Sequence, residues 1–276
     1  MMKKNNNINY QTIYSTQLYL SSNDANIYLN GSKKSSVTFF FEDLLKLDKS
    51  SIEMRVSLVN AQIPVSYYQI NSTNNTIYIN TIPYVFPDGN YNVNSFINTW
   101  YNIVGNNWSV TFNSINNTFL FSYPSSSFIF YDDIQNSIFP VIGFNIGKTY
   151  TSVNNQINGL YPANFLGLNR INIKSSTFNF RNLDTYEKGR TTTISSIPVN
   201  ASSNGLINYI NITNYKSIFK NHEISSLNID ITDDNSNFID FHNINWSMTL
   251  QIDIVNEVIN NLDDLNDVYE NAKQEL

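Results

Sequence analysis

The sequence predicts an all-β protein: an antiparallel β-sandwich interrupted by a small α+β module and closed by an amphipathic C-terminal helix. Three observations predict it. Short runs of alternating apolar and polar residues recur along most of the 276 residues. Helical spacing is confined to one stretch around Trp100 and to the C-terminal end. Turn signals built from Gly, Pro, Asn and Asp separate the runs, without the repeated strand–helix alternation of a parallel sheet.

Taken in order, Met1-Met2-Lys3-Lys4 begins as a signal peptide does, but Asn5-Asn6-Asn7-Ile8-Asn9 follows instead of an apolar stretch. Residues 1–12 therefore read as a flexible arm. Residues 13–20 open the strands, 27–29 run into an Asn30-Gly31 turn, and 37–41 form a short buried strand. Ile52, Met54, Val56 and Leu58 then alternate with Glu53, Arg55 and Ser57. That strand ends near Ile63-Pro64, because proline cannot donate to a ladder.

The middle has another texture. A strand at 76–82 leads to the turn Pro87-Asp88-Gly89-Asn90. Tyr91, Phe96, Ile97, Trp100, Tyr101 and Val104 recur at helical spacing, with Asn94 or Ser95 as N-cap and Gly105 as stop. Residues 108–112 and 118–123 make a hairpin across Asn116-Asn117, and 128–131 add a strand. A short helix near 134–139 leads into Val141-Ile142-Gly143-Phe144, and 145–164 read as a polar loop.

Strands resume at 168–174, with Arg170, Asn172 and Lys174 on one side and Ile171 and Ile173 on the other. Residues 178–189 look irregular and begin a basic cluster, Arg181, Lys188 and Arg190. Further strands are expected at 192–199, 206–212, 226–231 and 246–254, the last two joined by the turn Asp233-Asp234-Asn235-Ser236-Asn237. From 255 to 276, Val255, Val258, Ile259, Leu262, Leu265 and Tyr269 fall at helical intervals, opposite Asp263, Asp264, Asp267 and Glu270. Packing on its own domain and docking on a neighbouring subunit are both open to such a helix.

Composition bounds the function. Lys and Arg number 16 against 22 Asp and Glu, a net charge of -6 that argues against a nucleic-acid surface. Charged residues are 14% of the chain, where roughly 25% is usual, so the surface is polar by other means. Asn and Ile together supply 82 of the 276 residues, a bias that fits an AT-rich genome. Hydrophobic residues at 41% suffice for a real core. With no cysteine there is no disulfide, thiolate zinc site or thiol nucleophile, a pattern compatible with a reducing cytosol. No apolar run approaches the ~20 residues of a membrane-spanning helix.

Catalytic signatures are not apparent. The two histidines, His222 and His242, lack ligand spacing, and no nucleophile elbow, Walker loop or dinucleotide fingerprint occurs. Adjacent carboxylates such as Glu42-Asp43 and Asp132-Asp133 point to opposite faces of a strand, so they make no two-carboxylate site by themselves. Asp230, Asp233, Asn235, Asn237 and Asp240 offer oxygens to Ca²⁺, but the spacing is that of a hairpin turn. Eight Asn-x-Ser/Thr sites occur where chance composition gives about nine, so they carry no message. No catalytic residue, cofactor or metal is expected. Tyr84, Phe86 and Tyr91, near Tyr67-Tyr68, are candidate outer-surface aromatics for a glycan or a protein.

Three segments together carry a resemblance. The first runs Ser15-Thr16-Gln17-Leu18-Tyr19-Leu20, then Val37-Thr38-Phe39-Phe40-Phe41, then Ile52-Glu53-Met54-Arg55-Val56 on to Ile63-Pro64. The second is Asp88-Gly89-Asn90-Tyr91-Asn92-Val93-Asn94-Ser95-Phe96 followed by Trp108-Ser109-Val110-Thr111-Phe112. The third joins Leu227-Asn228-Ile229-Asp230-Ile231 to Trp246-Ser247-Met248-Thr249-Leu250. Their order and spacing resemble the minor capsid (penton) proteins of virophages and related double-stranded DNA viruses of protists.

That resemblance implies a single jelly roll assembling as a homopentamer at capsid vertices, with an outer domain inserted between its strands. Residues 13–70 and 151–254 would form the jelly roll and 71–150 the insertion; the residues alone also leave one continuous sandwich open. It further implies a structural virion protein, not an enzyme, assembled in the host cytoplasm. Its partners would be other copies of itself and a neighbouring major capsid protein, with a host receptor also open. Val255, Ile259, Leu262, Leu265, Arg181, Lys188 and Arg190 are the candidate contacts. A host-attachment or glycan-binding virion protein on the same scaffold is the alternative. A jelly-roll enzyme is disfavoured by the lack of His clusters.

Overall fold

The computed structural model describes residues 8–46, 51–132, 135–178, 182–184, 186–213, 215–219 and 223–259. The chain divides into two compact units, one formed by Met1–Ser66 with Arg170–Leu276 and the other by Tyr67–Asn169. The first unit begins with β1 (Ile8–Ser21), β2 (Ile27–Tyr28), β3 (Ser36–Lys46) and β4 (Ser51–Pro64). The second contains β5 (Thr76–Ile79), β6 (Ile82–Val85), α1 (Val93–Ile103), β7 (Ser109–Asn113), β8 (Thr118–Ser122) and β9 (Ile129–Tyr131). It ends with α2 (Phe139–Ile142), β10 (Tyr150–Thr151) and β11 (Gln156–Asn158). The chain then returns to the first unit with β12 (Arg170–Lys174), β13 (Leu183–Asp184), β14 (Gly189–Arg190) and β15 (Thr193–Pro198). The last strands are β16 (Leu206–Ile210), β17 (Ser217–Phe219), β18 (Glu223–Thr232) and β19 (Ser247–Ile259).

Strand order identifies the first unit. One sheet runs β1-β19-β4-β16, with β17 also on β4, and the other runs β15-β12-β18-β3-β2. Every pairing within these two sheets is antiparallel. Count the main strands in chain order as β1, β3, β4, β12, β15, β16, β18 and β19. The first sheet then takes the first, eighth, third and sixth, and the second takes the fifth, fourth, seventh and second. Early and late strands alternate in both sheets, which is the nested Greek-key wiring of a jelly roll. The second unit is inserted between the third and fourth of these strands.

Alternation builds the core between the sheets. Met54, Val56, Leu58, Leu250 and Ile252 are buried from one sheet, and Phe39, Ile171, Ile173, Leu227 and Ile229 from the other. Each such side chain contributes about 1.5–3 kcal/mol. In β4 the inward set changes phase, from Met54, Val56 and Leu58 to Ala61 and Ile63. A bulge explains it: Thr249 pairs with Asn60 and Leu250 with Leu58, leaving Val59 as the extra residue. Trp246 closes the core, its ring edge-on to Phe39 at 6.4 Å and its indole N–H donating to the Lys34 carbonyl at 2.7 Å.

Several expectations change here. Ile8–Thr12, expected in a flexible arm, pair with Val255–Ile259, expected at the start of a helix. These segments are two strands of one sheet, and β19 is also hydrogen-bonded to β4 as far as Asn256. Backbone pairing on both sides outweighs the helical spacing of Val255, Val258 and Ile259. Residues 1–7 and 260–276, including Leu262 and Leu265, lie outside the described residues. The turn at 233–237 does not make a hairpin of β18 and β19, which belong to different sheets. The expected polar side of β12 is largely covered: Asn172 and Lys174 are buried, with Asn172 donating to the Asp233 carbonyl and Lys174 to Glu187 and Ser236.

The second unit has two small antiparallel sheets, β10-β9-β5-β6 and β11-β8-β7. The expected strand at 76–82 is a tight hairpin, because Asn80 and Thr81 both take positive φ, 50° and 73°. α1 starts two or three residues earlier than Asn94 or Ser95 suggests. Asn92 is its N-cap, accepting from the Ser95 amide at 2.9 Å while the Ser95 hydroxyl caps the Asn92 amide in return. The second helix spans Phe139–Ile142 instead of 134–139, and Gly143 ends it at φ 87°. The loop at 145–164 contains β10 and β11. The unit's core is aromatic: Phe86 stacks on Phe96 at 5.1 Å, and Trp100 packs on Phe121 at 4.7 Å.

Candidate functional site

The sequence-predicted contacts do not converge on one site. Val255 is fully buried within β19, so it is not available to a partner. Ile259 is the last residue of that strand, paired with Ile8, which replaces its expected place on a helix. Of the basic cluster, Arg181 lies outside the described residues, whereas Lys188 and Arg190 are exposed on the β13–β14 turn. Glu187 on this turn meets the Lys174 ammonium at 2.5 Å, which ties the hairpin to β12.

Nor do the three aromatics form one surface. Phe86 is 0% exposed, wedged between Phe96 and Trp100, so it is a core residue. Its neighbours Pro87-Asp88-Gly89 form the exposed turn that sequence reasoning extended to Phe86. Tyr84 is half-buried on β6, paired with Ile77. Tyr91 is half-buried too, its hydroxyl donating to the Pro87 carbonyl at 2.6 Å. Burial raises its pKa, with Asp88 adding to the rise and a Thr99 hydrogen bond opposing it.

The polar candidates serve structure. Asp233 accepts from the Asn235 and Asn237 amides at 2.8 Å and from the Asn237 side chain at 3.0 Å, so these oxygen-bearing residues hold their own turn. Asp230 accepts from the Ser36 hydroxyl at 2.5 Å. His242 is exposed at φ 50°, with Nδ1 2.8 Å from the Ser66 carbonyl, and His222 lies outside the described residues. Among the described residues, no three His, Cys, Asp or Glu side chains gather as metal ligands. No described helix is long and apolar enough to cross a membrane.

What the first unit presents is an edge. β16 and β17 lie on the outer side of β4, and their exposed side chains are largely apolar. Leu206, Ile210, Ile212, Tyr215 and Ile218 are all exposed, Ile210 by 72% and Ile212 by 89%. A free strand edge carries unpaired backbone groups, and apolar side chains add a reason to cover it. Beside it lies a cleft of about 660 Å³ lined by Arg170, Asn172, Asn182, Thr193, Tyr209 and Tyr215, among others. Asn182 organises it, donating to the Thr193 carbonyl at 3.0 Å and the Ser217 hydroxyl at 2.8 Å while accepting from Tyr215 at 2.9 Å. Among its described lining residues, the cleft offers hydrogen bonds but no nucleophile with an adjacent carboxylate or histidine.

Inward of this edge, Asp253 sits on β19 with its side chain 1% exposed. It is ion-paired to Lys216 and accepts from Ser15 at 2.6 Å and Gln251 at 2.8 Å. Burial alone would raise its pKa. The hydrogen bonds from Lys216, Ser15 and Gln251 and the Lys216 charge outweigh burial and hold it below the usual carboxylate value. Sequence reasoning missed the edge because a strand expected at 206–212 does not reveal which of its apolar side chains face outward. It missed Asn182 because one Asn among 48 carries no signal.

No family model matches the chain, and no curated protein matches it. In fold, it is similar to the mavirus penton protein, at 12% identity and a TM-score of 0.47, over 87% of this chain and 100% of that one. It is also similar to a chain of the Sputnik virophage structure, at 11% identity and a TM-score of 0.38, over 87% of this chain and 97% of that one.

Proposed function

We propose that this chain is a structural virion protein, a penton-type minor capsid subunit that assembles as a homopentamer at icosahedral vertices. The observation that carries this reading is the jelly-roll strand order interrupted by a compact unit at Tyr67–Asn169. It is the plan implied by the segment resemblance, on a fold widely used for capsids. Five copies would close by head-to-tail contacts, since heterologous contacts form a ring when the rotation closes. The apolar edge at Leu206, Ile210 and Ile212 supports one half of such a contact. A charge-poor surface rich in Asn suits it, because burying an amide needs only a partner whereas burying a charge needs compensation. Lys188 and Arg190, with Leu262 and Leu265, are the proposed contacts to a neighbouring major capsid protein during assembly in the host cytoplasm.

Mass photometry of the purified full chain tests this. The expected species is about five times the 31.7 kDa of one chain. Ile210→Lys with Ile212→Lys is expected to return a folded monomer, since both side chains are exposed and outside the core. A trimer, or a wild-type monomer at micromolar concentration, overturns the pentamer.

A further inference from the structure

We infer that the inserted unit carries a binding site for a neutral saccharide, in a pocket where three of its connections meet. The pocket holds about 290 Å³ and is bordered by the β5–β6 hairpin, the α1–β7 loop and the β8–β9 loop. Tyr84, Trp108 and Tyr123 supply aromatic walls; Asn80, Asn107 and Ser126 supply amide and hydroxyl groups. The volume lies at the small end of ligand pockets, near ~300 Å³.

Local sequence places these groups. Gly105, at φ 121°, ends α1 and hands the chain to Asn106-Asn107, which delivers Trp108 just ahead of β7. The hairpin turn at Asn80-Thr81 holds Asn80 at φ 50°, where its Oδ1 accepts from the Ile129 amide at 2.9 Å and its amide nitrogen remains for another partner. Trp108 is packed on its neighbours: it meets Phe128 edge-on at 4.6 Å, Trp100 edge-on at 5.6 Å, Tyr123 at 5.0 Å and Phe130 near-parallel at 6.3 Å. A platform already locked in place loses little entropy when a ligand stacks on it.

Two features choose the ligand. First, no charged side chain lines the pocket, so a charged ligand would lose hydration without a counter-charge. Second, its polar groups are accessible: Asn107 and Ser126 are exposed, and Tyr84, Trp108 and Tyr123 are half-buried. A pyranose ring matches both. Its C–H face carries slight positive charge and meets the negative face of an aromatic ring, while its hydroxyls pair with amides and phenols. The site thus differs from the Tyr84, Phe86 and Tyr91 surface expected from sequence, keeping only Tyr84.

The test uses the intact full chain on an array of neutral and acidic glycans, followed by titration calorimetry with the best neutral oligosaccharide. Binding to neutral saccharides is expected, with Asn107→Ala and Tyr123→Phe each weakening it about fivefold at unchanged melting temperature. A third arm follows Trp fluorescence, where Trp108→Phe is expected to abolish the saccharide-induced change. No neutral saccharide bound at millimolar concentration, recognition of acidic glycans alone, or affinity indifferent to both variants overturns the site. Subunit stoichiometry is read separately, so failure here leaves the assembly reading standing.

Discussion

Asn does the work that Gly does elsewhere. The chain has 48 Asn and only 9 Gly, and among the described residues Asn holds seven of the twelve non-glycine positions at positive φ, among them Asn117, Asn154 and Asn155. Its short amide tolerates the left-handed region and bonds to its own turn. Gly143 is a case where Asn would fail. At φ 87° a Cβ would overlap the Tyr161 carbonyl oxygen, while the Tyr161 and Leu160 amides donate to the Gly143 carbonyl at 3.0 Å. Gly143→Ala is expected to cost about 2–4 kcal/mol in urea denaturation, and a cost below about 0.5 kcal/mol contradicts this packing. Asp253 supplies a pH dependence. Its pKa is lowered in the folded state, so its contribution is fully present above the unfolded value of about 3.9 and is lost as pH falls through the folded value. Asp253→Asn is therefore expected to destabilise the protein at pH 7 and to lose that penalty progressively as pH falls through the folded value. An equal penalty above and below that value would place the effect in packing.

At the scale of elements, the decisive feature is the long β1–β19 ladder. Its register runs from Ile8 opposite Ile259 to Ser21 opposite Ser247, with one bulge between Thr12 and Tyr14. A chain truncated after Ile254 removes Val255 from the buried set and leaves the start of β1 without its partner. It is expected to melt at least 5 °C lower, roughly 1–2 kcal/mol for a domain of this size. An unchanged melting temperature would mean that these residues add nothing to the stability of the sheet. The helix that sequence did locate, α1, owes its start to the Asn92–Ser95 capping box and buries Phe96 and Trp100 against the aromatic core.

At the scale of the whole molecule, two units fold from three pieces of chain. The inserted unit encloses its own core, from Ile70 to Ile157. Expressed alone as residues 67–169, it is expected to unfold cooperatively, with a near-UV aromatic signal lost in the same transition as helicity. Loss of the aromatic signal before the helix would show that the unit depends on the jelly roll. The jelly roll is completed only after the chain leaves and returns, because β4 finds its partners β16, β17 and β19 beyond the insertion. Such non-local pairing predicts slow folding relative to the inserted unit.

By itself the sequence determined the β class, the module near Trp100 and the turns, because alternation, caps and turn residues act over a few neighbours. Val37–Phe39, Met54–Leu58 and Leu227–Ile231 were legible as strands for that reason. Tertiary structure alone decided which strands share a sheet and that Val255–Ile259 extend one of them. It also decided that Phe86 turns inward while Ile210 and Ile212 stay outside. Each of these depends on a partner far away in the chain, as Ile8 depends on Ile259. The pocket at Trp108 is of the same kind: three ordinary loops, none informative alone, become a site only when the core beneath them brings them together.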